Sequence, residues 1–141
     1  MRYVLDASVA FKWAVLEVDT DKALRLREDL RNGVHHFLAP DFFALEVAHS
    51  LTRAERQRRI TPAEGVRAFL DISQTLPQLF SSIPVLARAY ALSSQARSGV
   101  YDCVYVALAE REGCPFITAD DRLVKNLQKQ FPFIVALSSM P

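Results

Sequence analysis

Asp6, Glu46, Asp102 and Asp120 each stand where an apolar segment ends or where a helix presents its edge. Acids distributed in this way are placed to serve one site. Tyr3-Val4-Leu5 is a short buried-strand pattern that runs straight into Asp6, Ala7 and Ser8. Phe116-Ile117-Thr118 repeats the arrangement and leads into Ala119, Asp120 and Asp121. In an open parallel sheet, ligands bind outside the carboxyl ends of the strands. Two strand ends therefore each supply a carboxylate and a hydroxyl.

Each acid also has a plain structural reading. Glu46 lies on the border of an apolar helix face, with Phe42 and Phe43 one turn before it and His49 and Ser50 one turn after; alone it would be a solvated helix residue. Asp102, Asp120 and Asp121 read as N-caps. Against that, Asp102 shares a face with Val106 and Ala109, so its carboxylate crowns an apolar stripe and needs a partner. Asp6, directly after an apolar strand, is the hardest to explain as structure.

Periodicity alone does not bring four distant residues together. If they do meet, two carboxylates about 4 Å apart repel by roughly 4 kcal/mol at an effective dielectric of about 20. Such a cluster must bind protons or cations. All-oxygen donors favour Mg²⁺ or Mn²⁺ over zinc. These ions suit hydrolysis of a phosphodiester by water, with no serine, cysteine or histidine nucleophile required.

The elements that must position the acids follow from the alternation of short apolar runs and longer helical periods. That pattern predicts an α/β fold, a layered sandwich around a mainly parallel sheet of about five strands. Strands are expected at 3–5, 37–39, 79–83, 116–118 and 133–137. Helices are expected at 8–16, from Asp19-Thr20 to Asn32-Gly33, from Pro40-Asp41 to Gln57, from a capping box at Thr61-Pro62-Ala63-Glu64 to about Thr75, and at 85–96, 102–112 and 121–130. No linker, repeat or low-complexity segment divides the 141 residues, so 1–141 reads as a single domain with one core.

A net charge of +1 excludes a polycation that holds nucleic acid by its overall field. Any such affinity must come from a local patch. Cys103 and Cys114 flank one expected helix, roughly 16 Å apart along it, so they read as reduced core thiols and favour a cytoplasmic setting. Asp6 and Lys12 interrupt the apolar residues of the N-terminus, and no segment reaches the roughly 18 apolar residues of a membrane span, so no membrane association is expected.

Four segments in order then carry a resemblance: Leu5-Asp6-Ala7-Ser8-Val9, Ala39-Pro40 leading to Glu46-Val47, Tyr101-Asp102-Cys103-Val104-Tyr105-Val106-Ala107-Leu108-Ala109, and Thr118-Ala119-Asp120-Asp121-Arg122-Leu123. The chain resembles PIN-domain proteins, specifically the VapC toxins of toxin-antitoxin pairs, over nearly its whole length. The resemblance implies a Mg²⁺- or Mn²⁺-dependent endoribonuclease with Asp6, Glu46, Asp102 and Asp120 as its acidic quartet and metal ligands. It also implies supporting hydroxyls at Ser8 and Thr118, a homodimer, and a cognate antitoxin. Asp121 is read as a helix cap or outer ligand beside Asp120.

Arg53, Arg56, Arg58 and Arg59 form the densest basic cluster. Arg53 falls two turns beyond Glu46 on roughly the same face, where it and Arg56 could meet an RNA phosphate or an antitoxin carboxylate; the plain reading is a solvated helix end. His35-His36 read as loop residues. Phe11, Trp13, Phe42 and Phe43 read as core or interface packing rather than base-stacking platforms.

Competing chemistries fit less well. A haloacid-dehalogenase-type phosphatase needs a second aspartate where Ser8 stands, and a receiver domain needs a lysine after the last strand, where Ser138-Ser139 stand. Four glycines supply no dinucleotide-binding turn. The remaining alternative is a catalytically idle PIN-like module that binds RNA or a protein.

Overall fold

The computed structural model describes residues 1–141. β1 (Arg2–Leu5) leads into α1 (Ala7–Phe11) and α2 (Thr20–Arg31), and β2 (His36–Pro40) into α3 (Phe43–Arg56) and α4 (Pro62–Ser73). β3 (Gln78–Phe80) precedes α5 (Ile83–Ala96) and α6 (Val100–Glu112). β4 (Phe116–Thr118) precedes α7 (Asp121–Leu127), and β5 (Ile134–Ala136) ends in a 3-10 turn over Leu137–Ser139. The architecture is the expected α/β three-layer sandwich.

The strands form one sheet in the order β3-β2-β1-β4-β5, every pair parallel. β1 is central, with Val4 opposite Leu38 on one side and Leu5 opposite Ile117 on the other. The strand order reverses between β1 and β4, and in such sheets the crevice at that reversal is where ligands bind. Asp6 follows one of the two bordering strands, and Asp120 lies two residues beyond the end of the other.

Strands covered on both faces read as continuous apolar runs, which is why Val4-Leu5, Phe37-Leu38-Ala39 and Phe116-Ile117 are all buried. Residues Cys103 to Ala109 of α6 are buried on every side, as a helix apolar all round should be. α6 packs against α5 and against β1, β2 and β4. It therefore lies under the sheet centre and brings Asp102, in its first turn, toward the end of β1.

The capping box opens α4 as expected: Glu64 N donates to Thr61 Oγ1 at 3.2 Å and Thr61 N to Glu64 Oε1 at 3.0 Å. Gly33 and Gly113 follow α2 and α6 with φ of 65° and 63°, the left-handed conformation that glycine adopts without strain. The largest boundary difference is at α1, expected over 8–16. It stops at Phe11, because Trp13 turns inward and its indole Nε1 donates to Ala23 O at 2.9 Å.

The strand expected over 79–83 ends at Phe80, and Ile83 begins α5 with Pro84 in its first turn. α7 stops at Leu127 rather than 130, and β5 covers only Ile134–Ala136. His36 is not a loop residue: it begins β2 and its ring Nε2 meets Gln78 Oε1 at 2.6 Å. Cys103 and Cys114 are both buried and unpaired.

Arg27, which the sequence pattern does not single out, is only 5% exposed on α2. It donates to Thr75 Oγ1 at 2.9 and 3.1 Å, pairs with Asp71 Oδ2 at 3.0 Å, and lies 5.1 Å from the Trp13 ring centroid. Lysine has no planar fork with which to meet all three at once. Arg27→Ala is expected to lower unfolding free energy in urea by about 2–3 kcal/mol, and Arg27→Lys to recover less than half of that.

Candidate active site

Asp6 is 6% exposed, and no cation of the chain pairs with it. A carboxylate so placed needs other donors. Thr118 Oγ1 donates to its Oδ2 at 2.6 Å and Ser8 Oγ donates to the same oxygen at 2.7 Å. Each hydroxyl has a single proton, so with both committed to Asp6 the 3.4 Å approach of Ser8 Oγ to Thr118 Oγ1 is a contact rather than a third bond.

As acceptors, the same hydroxyls tie down the β4–α7 turn. Ala119 N donates to Ser8 Oγ and Asp120 N to Thr118 Oγ1, both at 3.0 Å. One network therefore joins the ends of β1 and β4 and sets the backbone from which Asp120 projects. Asp120 Oδ1 in turn accepts from Arg122 N at 3.0 Å and Leu123 N at 3.2 Å, capping α7. The cap expected of Asp121 thus falls on Asp120. Asp121 is the exposed first residue of α7.

Asp102 is not an N-cap, because α6 begins two residues earlier, after Gly99. The carboxylate stands half-buried in the first turn. Burial pushes its pKa up to about 6, and the charges of Asp6 and Asp120 add to the shift. Glu46, from α3, is raised further, to about 7, by burial and then by Asp6 and Asp102, against the lowering effect of a bond from Tyr105. Asp6 is raised by burial, its two hydroxyl donors working the other way and the charge of Asp120 adding to the rise. The structure thus brings Asp6, Glu46, Asp102 and Asp120 into one field at the sheet edge.

Tyr105 is the residue that sequence reasoning passed over. Its hydroxyl donates to Glu46 Oε1 at 2.8 Å and accepts from Ala7 N at 3.3 Å, while its ring stacks on Phe116 at 5.4 Å between centroids. A tyrosine inside an otherwise apolar, fully buried helix face was the available signal, since a buried phenol needs a polar partner.

The donor set fits a hard divalent cation: four carboxylates, oxygen throughout, and no lysine or arginine neutralising them. As the side chains stand, no three His, Cys, Asp or Glu groups already form a closed metal-ligand cluster. Like charges disfavour a closer approach of carboxylates, and a cation reverses that preference. Of the basic residues, Arg53 lines a cavity that also includes Ser8 and Ala119, whereas Arg56 is exposed at the end of α3 outside it. Glu46 itself lines a second hollow of about 450 Å³, with Phe42, Leu45, His49 and Tyr101.

The raised carboxyls make stability depend on pH. Their folded pKa values, about 6 for Asp102 and about 7 for Glu46, exceed those of the unfolded chain. Their contribution is therefore complete below roughly pH 4 and is lost as pH rises through about 6 to 7. In chelator, the melting temperature is expected to fall across that window, and Glu46→Gln to flatten the fall; a wild-type profile flat from about pH 5 to 8 would contradict this. Tyr105→Phe should steepen the dependence, since the bond that favours ionised Glu46 is gone.

Comparison with known proteins places these residues in context. The model of the PIN domain family matches residues 3–128. Ribonuclease VapC12 of Mycobacterium tuberculosis is 33% identical over 123 residues, covering 87% of this chain and 90% of that protein. Ribonuclease VapC3 of Pyrobaculum aerophilum is 31% identical over 137 residues, covering 96% and 98%. Among solved structures, PAE2754 from Pyrobaculum aerophilum superposes with a TM-score of 0.71 at 19% identity, covering 99% of this chain and 85% of that one. VapBC2 from Rickettsia felis, bound to a DNA fragment from their promoter, gives 0.59 at 14% identity, covering 96% and 97%. By the match of nearly its whole length, this chain belongs to the PIN-domain family, with the VapC ribonucleases as its relatives.

Proposed function

We propose that the chain is a Mg²⁺- or Mn²⁺-dependent endoribonuclease that hydrolyses RNA phosphodiester bonds, acting as the toxin of a type II toxin-antitoxin pair. The observation that carries this reading is the meeting of Asp6, Glu46, Asp102 and Asp120 in one uncompensated field at the β1/β4 crevice. Relatives named as VapC ribonucleases support the substrate class, and the VapBC2 pair of Rickettsia felis supports a cognate antitoxin.

In this reading Asp6, Asp102, Asp120 and Glu46 hold the cation. When bound, it supplies positive charge and Lewis acidity to a phosphodiester. Ser8 and Thr118 keep Asp6 Oδ2 fixed, which leaves Oδ1 for the cation. Capping commits Asp120 Oδ1 and leaves Oδ2. Tyr105 occupies Glu46 Oε1, so Oε2 is left to face the cation. As the water oxygen bonds to phosphorus its proton passes to solvent, and the leaving ribose oxygen takes a proton from solvent as its bond to phosphorus breaks. Asp121 serves as an outer acid beside Asp120, and Arg53 and Arg56 meet RNA or antitoxin.

Exposed apolar side chains on α4 (Val66, Phe69, Leu70) and α5 (Ile83, Leu86, Tyr90) support contacts with a second copy and with the antitoxin. No helix is long and apolar enough to cross a membrane. A cytoplasmic location follows from the proposed RNA substrate.

Purified, partner-free protein is expected to cut structured RNA in Mg²⁺ or Mn²⁺ and to stop in chelator. Asp6→Asn and Asp102→Asn should each slow cleavage by at least about a hundredfold, the upper end of what even ligand-orienting mutations produce. Cleavage persisting unchanged in both variants would sink the assignment. Divalent metal should also raise the wild-type melting temperature, and raise it less in Asp6→Asn; equal shifts would argue against a shared cation site.

A further inference from the structure

Beside the acidic crevice lies a cavity of about 330 Å³ whose wall includes Ser8 and Ala119, both members of the Asp6 network. Three cations face it: Lys12, Arg53 and Arg59. Two of them are already engaged by one carboxylate. Lys12 Nζ lies 3.3 Å from Glu17 Oε1, and Arg59 Nη2 lies 2.7 Å from Glu17 Oε2. Arg59 is further placed by Phe11, with its guanidinium carbon 5.7 Å from the ring centroid. Glu17 is held at its backbone, where its N–H donates to Thr20 Oγ1 at 2.9 Å. Arg53 is exposed and takes no part in these pairs.

A carboxylate that presents one oxygen to each of two cations has the same donor demand as the two non-bridging oxygens of a phosphodiester. A nucleic-acid strand with one phosphate at the carboxylates must carry another beside it. The cavity shares Ser8 and Ala119 with that site, so the neighbouring phosphate is the anion best placed to reach it. We propose, resting on the ribonuclease reading, that this cavity is a subsite for a non-scissile phosphate of the RNA, and that Glu17 occupies Lys12 and Arg59 until the strand displaces it. Arg53 supplies the first contact because no carboxylate holds it. The pre-existing pairs keep the two cations oriented in the absence of RNA, at the expense of competition when RNA arrives.

The test is binding, read separately from cleavage. Fluorescence anisotropy of a labelled single-stranded RNA is followed in chelator, with the unaltered 141-residue chain and with Arg53→Ala, Arg59→Ala and Glu17→Gln. Arg53→Ala and Arg59→Ala are expected to weaken binding about five- to twentyfold, and Glu17→Gln to tighten it severalfold. The dependence of log K on log salt should flatten by about 0.7 when one phosphate contact is lost.

All three affinities staying within twofold of wild type overturns the subsite, as does weaker binding by Glu17→Gln. Unchanged RNA affinity with loss of binding to a labelled glutamate-rich peptide overturns it in favour of a protein-docking site. Wild-type cleavage in Mg²⁺, measured in parallel, separates the two readings: if it persists while the variants bind normally, only the subsite falls. If the wild type shows no cleavage, it is the ribonuclease reading that falls.

Discussion

The organisation of the site rests on one buried carboxylate. Asp6 is 6% exposed at the end of the central strand, and the chain meets it with neutral hydroxyls rather than with a cation. Hydroxyl donors stabilise and orient a carboxylate while leaving its charge in place. An arginine there would stabilise it as well or better, but would also neutralise the field that attracts a divalent ion. The choice of donor type therefore serves orientation first.

Other positions follow from that choice. Ser8 comes from α1 and Thr118 from β4, so satisfying Asp6 fixes those two elements against each other. The acceptor sides of the same hydroxyls fix the turn that carries Asp120. On the opposite side, the Tyr105 hydroxyl bridges Ala7 N and Glu46, linking α1 to α3 through α6. Four elements, α1, α3, α6 and β4, are thus registered to the crevice by hydrogen bonds that converge on Asp6 and its neighbours Ala7 and Ser8. Side chains held in this way are pre-organised, with little rotamer freedom left to lose when a ligand binds.

Much of this was legible in the chain itself. The strand ends at Leu5 and Thr118 were readable because parallel strands buried on both faces make uninterrupted apolar runs, and an acid directly after such a run has few structural excuses. Boundaries were less legible where tertiary contacts override local pattern. Trp13 continues an apolar period but bends inward to reach Ala23 O, which ends α1 early. The ambiguity between Asp120 and Asp121 had another origin. Sequence treats capping and membership of the acidic cluster as alternatives, yet a carboxylate has two oxygens, and Asp120 caps with one of them. Tyr105 was hidden for a different reason, since in an all-apolar helix a tyrosine passes for packing until its hydroxyl partner is seen.

The placement of positive charge carries the last step. The chain has 17 lysines and arginines, but none pairs with the four acids. Those nearest the crevice, on the wall shared with Ser8, include two that Glu17 holds. Without such a holder, long flexible side chains would be drawn toward the acidic field and would quench it. Glu17 thus does for the cations what Ser8 and Thr118 do for Asp6: it satisfies them locally so that the charge on each side of the crevice remains separate. Two opposite fields kept apart by neutral and internal partners form a surface that a phosphodiester strand and a divalent cation can bridge together. Either one alone would leave one of the fields unanswered.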